Sequence, residues 1–330
     1  RDWSSDVCSS DLTEPEYREA AALLASWRAA GALVEAPAAL VAYEMRFALD
    51  GRERRVRGVL GAVDLEPWGG GILPHEKTMR GPVEDRLRLL RIVRANLSPV
   101  HGILPGPSPT LGASLDRVCR RPADAVGHDA GVDHRAWWFT PDPALLDEIG
   151  SQRCMIADGH HRYTTALAFR DEMHAAQGAG PWDALLMLLV DAAEEPPVLP
   201  FHRLAAAASP SPDGTRVADL AALLGQLDDA GLVVGSIRME GGVLVHRVVH
   251  LAGEPPAVAA LEPSLPPSEA DVTFTQDARA AERAVADGSA AAAWILPPTS
   301  AERIRAVIDR GDRLPRKSTY FWPKIGRAHV

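Results

Sequence analysis

The densest chemistry in the chain lies in one run, Asp158-Gly159-His160-His161-Arg162-Tyr163. An acid, two imidazoles and a guanidinium stand together there, beside a glycine that lets a ligand come close to the backbone. The run follows a short apolar stretch, 154–157, and opens a helical pattern reaching about residue 176. It should therefore sit where a strand ends and a helix begins. In that place Asp158 would cap the first turn, and the helix dipole would favour an anion. Arg162 would offer phosphate a planar fork, and His160 or His161 could donate hydrogen bonds or carry a proton. The bland alternative is an N-cap followed by partly buried surface residues. Four polar groups crowded at one helix start favour function. Zinc is the weaker alternative, because neighbouring histidines diverge and no third ligand has helical spacing.

A second cluster, His75-Glu76-Lys77-Thr78, follows Pro74 and precedes Glu84-Asp85-Arg86. Glu76 could act as a base with His75 sharing the proton, while Lys77, Thr78 and Arg86 could hold a substrate. A solvated loop entering an acidic first helical turn reads equally well. A third, Arg316-Lys317-Ser318-Thr319-Tyr320, offers two cations and two hydroxyls to phosphate or carboxylate, or simply blunts an edge strand. The run 199–203 reads as boundary packing and Trp137-Trp138 as core first. Cys154 reads as a small core residue, and His246 with His250 as solvated. The chain has no G-x-x-x-x-G-K-S/T, G-x-G-x-x-G, G-x-S-x-G or H-E-x-x-H, so the nucleotidase, dehydrogenase, hydrolase and zincin motifs are missing.

These clusters need elements to hold them. A helix is predicted over 15–30, with Tyr17, Leu24 and Trp27 on one face. A hairpin pairs 41–49 with 56–65 around Asp50-Gly51. A helix at 82–97 has Pro82 in its first turn, and 100–104 is a buried strand. The Pro- and Gly-rich stretch 105–134 reads as irregular. A strand at 135–140, a helix at 143–149 and an apolar run at 185–190 follow. Beyond a proline-marked boundary, the pattern predicts a helix at 215–230 and a hairpin of 232–239 with 243–251. A loop spans 252–270, and the end alternates strand 272–275, helix 277–287, strand 291–296, helix 300–310 and strand 317–322. The class is mixed α/β.

The length of 330 residues suits two domains, and a net charge of −9 argues against nucleic acid or an anionic membrane as partner. No apolar run approaches the roughly 18–20 residues of a membrane span. Three cysteines without C-x-x-C point to a reduced, cytoplasmic setting. Residues 1–12 and 326–330 look foreign, like translated adapter sequence. The domains expected are 13–198 and 199–325.

The blocks 74–99 (PHEKTMRGPVEDRLRLLRIVRANLSP), 156–172 (IADGHHRYTTALAFRDE), 199–204 (LPFHRL) and 314–325 (LPRKSTYFWPKI) resemble the bacterial domain of unknown function 1015 family. The D-G-H-H-R block also resembles the phosphate-binding motif of the ParB/sulfiredoxin superfamily, including free serine kinases. The resemblance implies a ParB/sulfiredoxin-like α/β core at 13–198, N-terminally truncated because an A-P-P-Y-D-V-I-like block is absent. It implies a phosphotransferase, most simply a free L-serine kinase using pyrophosphate or ATP/ADP with Mg²⁺. Asp158, Gly159, His160, His161 and Arg162 would hold the donor; His75 and Glu76 match the P-H-E block, and Lys317, Ser318 and Thr319 the K-S-T block. The family's usual Glu after the tyrosine is Thr164 here. A non-catalytic nucleotide- or phosphometabolite-sensing module is the alternative. A sulfiredoxin-like redox enzyme ranks last, since it needs a reactive cysteine beside the phosphate motif.

Overall fold

A computed structural model describes residues 14–36, 39–49, 51–76, 80–207, 213–266 and 271–324. Lys77, Thr78 and the two ends read as foreign lie outside these residues. Two compact units divide the chain. Unit 1 holds the chain up to Pro74, Thr78–Pro196 and the end from Pro323; unit 2 holds His75–Lys77 and Pro197–Trp322.

Unit 1 runs α1 (Glu14–Ala29), β1 (Leu40–Leu49), β2 (Arg52–Asp64), β3 (Ile72–Leu73), α2 (Arg80–Val93), β4 (Val100–Leu104), α3 (Pro109–Val118), β5 (Ala125–Asp129), β6 (Val132–Phe139), α4 (Pro143–Gly150), β7 (Cys154–Asp158), α5 (His160–Gln177) and β8 (Ala184–Asp191). Its eight strands form one sheet in the order β3-β7-β4-β8-β2-β1-β6-β5. Only the β3–β7 and β4–β8 neighbours are parallel. The β1–β2 hairpin pairs Val41 with Leu60 through to Leu49 with Arg52, the antiparallel pairing expected of 41–49 with 56–65. Strands β4 and β8 are apolar on both faces and buried almost throughout, as a central strand covered on both sides must be.

Three local expectations give way here. The stretch 105–134 contains α3, because Pro109 occupies the first helical turn, where its missing N–H costs nothing. Leu111, Leu115 and Val118 then fall on one face and are buried. Each such burial typically contributes about 1.5–3 kcal/mol, enough to outweigh a glycine in the helix. The same stretch holds β5, an exposed edge strand turned at Ala130-Gly131, both at positive φ. Helix α2 stops at Val93 rather than 97, since Arg94 takes φ 51°.

Unit 2 runs β9 (Val198–Leu199), β10 (His202–Ala205), β11 (Thr215–Val217), α6 (Leu220–Leu224), β12 (Val233–Glu240), β13 (Val243–His250), α7 (Ala257–Leu261), β14 (Val272–Thr275), α8 (Ala278–Ala286), β15 (Ala292–Ile295), α9 (Ala301–Asp309) and β16 (Tyr320–Phe321). Six strands make an antiparallel sheet ordered β11-β13-β12-β15-β10-β14, and β16 pairs with β9. The expected helix at 215–230 is mostly not helical. It shrinks to α6, whose start is set by Asp219 accepting the Ala222 N–H at 2.8 Å. The expected loop 252–270 contains α7, with Val258 and Leu261 buried. The last strand is only two residues long, because Ser318 and Thr319 give their N–H groups to Glu76 instead of to a sheet. His246 is buried, not solvated, and its Nε2 meets Glu282 Oε1 at 2.7 Å; His250 is exposed. The whole is a mixed α+β protein. No helix among the described residues is long and apolar enough to cross a membrane.

Candidate functional site

Strand β7 buries Cys154 to Ala157 and delivers Asp158 to its C-terminal end. Gly159 follows at φ 102°, a conformation an L side chain resists, and α5 begins at His160. The glycine is the N-cap and makes no side-chain cap bond. Asp158 therefore does not cap the helix as its position suggested. Its two oxygens meet cations instead: Arg162 donates to Oδ2 at 2.5 Å, and the Lys324 ammonium pairs with Oδ1. A Cβ on Gly159 would lie 3.0–3.1 Å from three guanidinium atoms of Arg162. The glycine thus makes room for the Arg162 head group to fold back over the turn.

Arg162 spends the other side of its fork on the loop before β4, donating to Ser98 Oγ at 2.8 Å and the Pro99 carbonyl at 2.5 Å. Lysine at this position could not serve acceptors on both sides, since it lacks the planar fork. Arg162→Lys should cost about 1.5–3 kcal/mol, the usual worth of a charge-assisted hydrogen bond in a part-buried setting. Urea denaturation followed by circular dichroism measures it; an unchanged midpoint would show that these contacts are idle.

His101 of β4 pairs with Asp158 across the strands at a register shift. Burial pushes its pKa down to about 4, with the Asp158 charge opposing and the Lys324 and Arg162 charges reinforcing the shift. It is a neutral imidazole at neutral pH. The next residue is Gly102, and a Cβ there would sit 2.4 Å from Cys154 Sγ. The same burial pushes the Cys154 thiol up to about 12. A thiol that does not ionise is no nucleophile, so Cys154 is the core residue its sequence context suggested. His160 is buried and stacks on Trp68, centroids 6.1 Å apart, while Trp68 tilts against Tyr163 at 4.5 Å. Tyr163 Oη locks to Glu66 by donating to its carbonyl and accepting from its N–H. His161 is half-buried beside them. The buried Oγ1 of Thr164 finds no partner among the described residues.

The second and third sequence clusters meet each other in unit 2. Glu76 Oε1 accepts the Ser318 N–H, the Thr319 N–H and the Thr319 hydroxyl, each at 3.0 Å. His75, 1% exposed, brings Nε2 to 2.7 Å from Thr319 Oγ1. Thr319 gives its one hydroxyl hydrogen to the carboxylate, so His75 Nε2 must supply the hydrogen of that contact; the network assigns the tautomer. His75 also meets the Phe321 ring edge-on. The backbone joins in, with Leu314 N–H donating to the His75 carbonyl at 2.9 Å.

Arg203 completes this assembly, and sequence reasoning passed over it as boundary packing. It is 1% exposed and donates to the carbonyls of Phe201 at 2.7 Å, Lys317 at 2.8 Å and Arg316 at 3.4 Å. Its guanidinium also lies 4.7 Å over the Phe274 ring. Burial lowers its pKa to about 10, leaving it charged at neutral pH. The loop it holds carries Lys317 at φ 55°, with the ammonium 5.4 Å over Phe201. The P-H-E, L-P-F-H-R and K-S-T blocks thus converge on one loop. Three separated polar runs, each ordinary alone, were the available signal. Arg86 lies on α2 of unit 1, half-buried, its Nε without a partner among the described residues.

Mg²⁺ needs oxygen ligands in near-octahedral array. Among the described residues no three His, Cys, Asp or Glu side chains converge on a point, and Asp158 already carries two cations.

A family model described as "Protein of unknown function (DUF1015)" matches residues 5–226. No curated protein matches the chain. Among solved structures it is similar to a free serine kinase in complex with AMP, at 12% identity and TM-score 0.43, covering 79% of this chain and 86% of that one. SbnI with C-terminal truncation from Staphylococcus aureus aligns at 12% identity and TM-score 0.42 over 80% and 84%. A conserved hypothetical protein from Pyrococcus furiosus aligns at 12% and 0.39 over 81% and 93%.

Proposed function

The chain belongs to the DUF1015 family of proteins of unknown function, and from that premise we propose that it is a small-molecule phosphotransferase. The reading is a free L-serine kinase whose donor is pyrophosphate or a nucleotide. One observation carries it: the carboxylate of Asp158 stands between the Arg162 guanidinium and the Lys324 ammonium at the N-terminus of α5. Such a cluster supplies what phosphoryl transfer needs, namely fixed geometry and positive charge around the transferring group. The resemblance of the D-G-H-H-R block to a phosphate-binding motif supports the same assignment.

In this reading Gly159, His160 and the first turn of α5 hold the donor's phosphoryl oxygens, and Arg162 fixes Asp158 in place. The serine hydroxyl oxygen forms a bond to the terminal phosphorus as the bridging P–O bond breaks, and inorganic phosphate or the shortened nucleotide leaves. Asp158 takes the hydroxyl proton, with His161 beside it to relay that proton onward. Glu76 is the alternative base, its Oε1 held in place by three hydrogen bonds. It and His75 shape the loop of Lys317, Ser318 and Thr319, in which the two hydroxyls brace the loop and the Lys317 cation would bind an anionic group. Lys77, Thr78 and Arg86 remain proposed contacts to the acceptor. The protein is proposed to work in the cytoplasm, on small molecules rather than nucleic acid.

Phosphorus NMR with L-serine, Mg²⁺ and pyrophosphate, ATP or ADP tests the assignment. A phosphomonoester resonance should grow as inorganic phosphate or the shorter nucleotide accumulates. No phosphoserine with any donor would overturn the kinase. Thermal stabilisation by nucleotide without turnover would favour the sensing module instead.

A further inference from the structure

We propose that unit 1 carries a further binding site, for a small carboxylic acid with an apolar body, in a cavity between α2, α5 and the loop that enters β8. The proposal is independent of the kinase reading, since it uses none of the residues assigned above to the donor or the acceptor.

The cavity holds about 240 Å³. That suits a compact molecule, since sites for drug-sized ligands span about 300–1,000 Å³. Its walls are mostly apolar. Phe169 and Met173 of α5, both buried, line it together with Leu90 of α2 and Trp182, both half-buried. The Trp182 wall is fixed in advance. This residue lies in a single 3₁₀ turn, Pro181–Asp183, and its indole N–H donates to the Gly178 carbonyl at 2.9 Å. A Cβ on Gly180 would lie 2.5–2.8 Å from three atoms of the indole ring, so the glycine leaves the space that the ring occupies. The Asp183 carboxylate closes the turn by accepting the Gly180 N–H at 2.9 Å. The Asp183 carbonyl accepts the Leu65 N–H at 2.7 Å, which ties the turn to the end of β2. An apolar ligand therefore meets a wall that needs little ordering on binding.

Two polar side chains line the same cavity, Arg94 and Asn96, both exposed. Neither side chain makes a hydrogen bond or ion pair among the described residues. The neighbouring charges are matched among themselves: Arg91 pairs with Glu172 at 2.5 Å, and His174 contacts Asp183. Arg94 is the only charged residue among the described ones that line the cavity. It follows the last turn of α2 at φ 51°, the left-handed position that helix ends usually give to glycine, where any other side chain is held at a cost. The strained backbone thus places an unpaired guanidinium beside an unpaired amide, at the edge of an apolar cavity. A planar carboxylate matches that pair, because the guanidinium fork donates two parallel N–H bonds to it. One carboxylate balances one cation, and the apolar walls take the rest of the molecule.

Calorimetric titration of the full chain with 3-phenylpropionate tests the site, beside its neutral counterpart 3-phenylpropan-1-ol. The wild type should bind one equivalent of the acid, about tenfold more tightly than the alcohol, the fold-change of one exposed charge-assisted contact. Arg94→Gly should bind acid and alcohol equally, at the affinity of the alcohol. It should melt no lower than the wild type, because glycine adopts positive φ without strain. Ala184→Leu places a larger side chain in the cavity wall and should weaken both ligands about tenfold or more. A wild type that shows no saturable binding of the acid, or that binds acid and alcohol equally, would overturn the proposal. So would an Arg94→Gly variant that keeps its preference for the acid, or an Ala184→Leu variant that binds as the wild type does. Should Ala184→Leu fail to fold, the exposed Arg94 variant decides the matter alone. None of these outcomes bears on phosphoserine formation, which the phosphorus NMR assay reads separately.

Discussion

Acidification should destabilise each unit by about 3 kcal/mol by pH 4, with about 2 kcal/mol of that loss reached by pH 5. The cause is one buried imidazole per unit. His101 in unit 1 and His202 in unit 2 are each pushed by burial from 6.5 down to about 4. The Arg203 charge reinforces the shift at His202, and Asp277 opposes it. His202 Nδ1 accepts the Leu296 N–H at 3.1 Å, so a proton arriving there would face a donor instead of an acceptor. In the unfolded chain both imidazoles bind a proton near 6.5, whereas in the folded protein they do so only near 4. Between those values the unfolded state holds more protons, so stability falls as pH falls. It is fully present above 6.5.

Thermal melts at pH 7, 6, 5 and 4 would show this. His202→Asn keeps an acceptor oxygen for Leu296 without a titrating proton, and His101→Gln fills its buried position with an amide that does not titrate. Each variant should flatten the acid response of its own unit and leave the other unchanged. A wild-type melting temperature that stays level from pH 7 to 5 would refute the buried-imidazole account, since few carboxylates titrate in that interval.

How much of this was visible in the residues depended on how local the signal was. The alternation of Val41, Tyr43, Met45 and Phe47 before Asp50-Gly51 is a short-range pattern, and the hairpin follows it closely. The helix from His160 and the flanking strand were equally legible, because Gly159 punctuates them. Helix α3 was hidden by the Pro- and Gly-rich composition of 105–134, in which Pro109 is a first-turn proline. In α6, the capping Asp219 was the better clue than the apolar run around it. At the candidate sites, residue types were legible and their partners were not. Nothing near Asp158 in sequence announces Lys324, and nothing near Glu76 announces Thr319, 243 residues away. Arg162 looked like a fork for a ligand; its fork is occupied by the chain itself. Register and long-range closure decide such contacts, and periodicity does not encode them.

Arg57 shows the same principle with the largest single-residue effect expected in unit 1. In sequence it ends a charged run, Arg52-Glu53-Arg54-Arg55-Val56-Arg57, at the start of the returning hairpin strand. In the structure it is buried. It grips Glu194 from Nε at 3.1 Å and a terminal nitrogen at 2.8 Å, while its own N–H meets the other oxygen of Glu194 at 3.0 Å. A further terminal nitrogen reaches Asp116 of α3 at 2.6 Å. These contacts tie β2 to the turn after β8 and to a helix. Glu194 is 13% exposed and Asp116 60%, so the two carboxylates respond differently to loss of the arginine. Asp116 would rehydrate; Glu194 would be left as an uncompensated, poorly solvated charge. Arg57→Ala should therefore cost about 3–5 kcal/mol, the range for breaking a buried pair on one side. In a unit of this size, each kcal/mol lowers the melting temperature by about 2–4 °C. Asp116→Ala should cost under about 1 kcal/mol, as exposed pairs do. The double variant Arg57→Met/Glu194→Leu removes both charges and replaces their volume with apolar atoms, so it should recover most of the loss. If Arg57→Ala costs no more than Asp116→Ala, the arginine is a surface residue in energetic terms whatever its burial, and the charge argument for this end of the sheet fails.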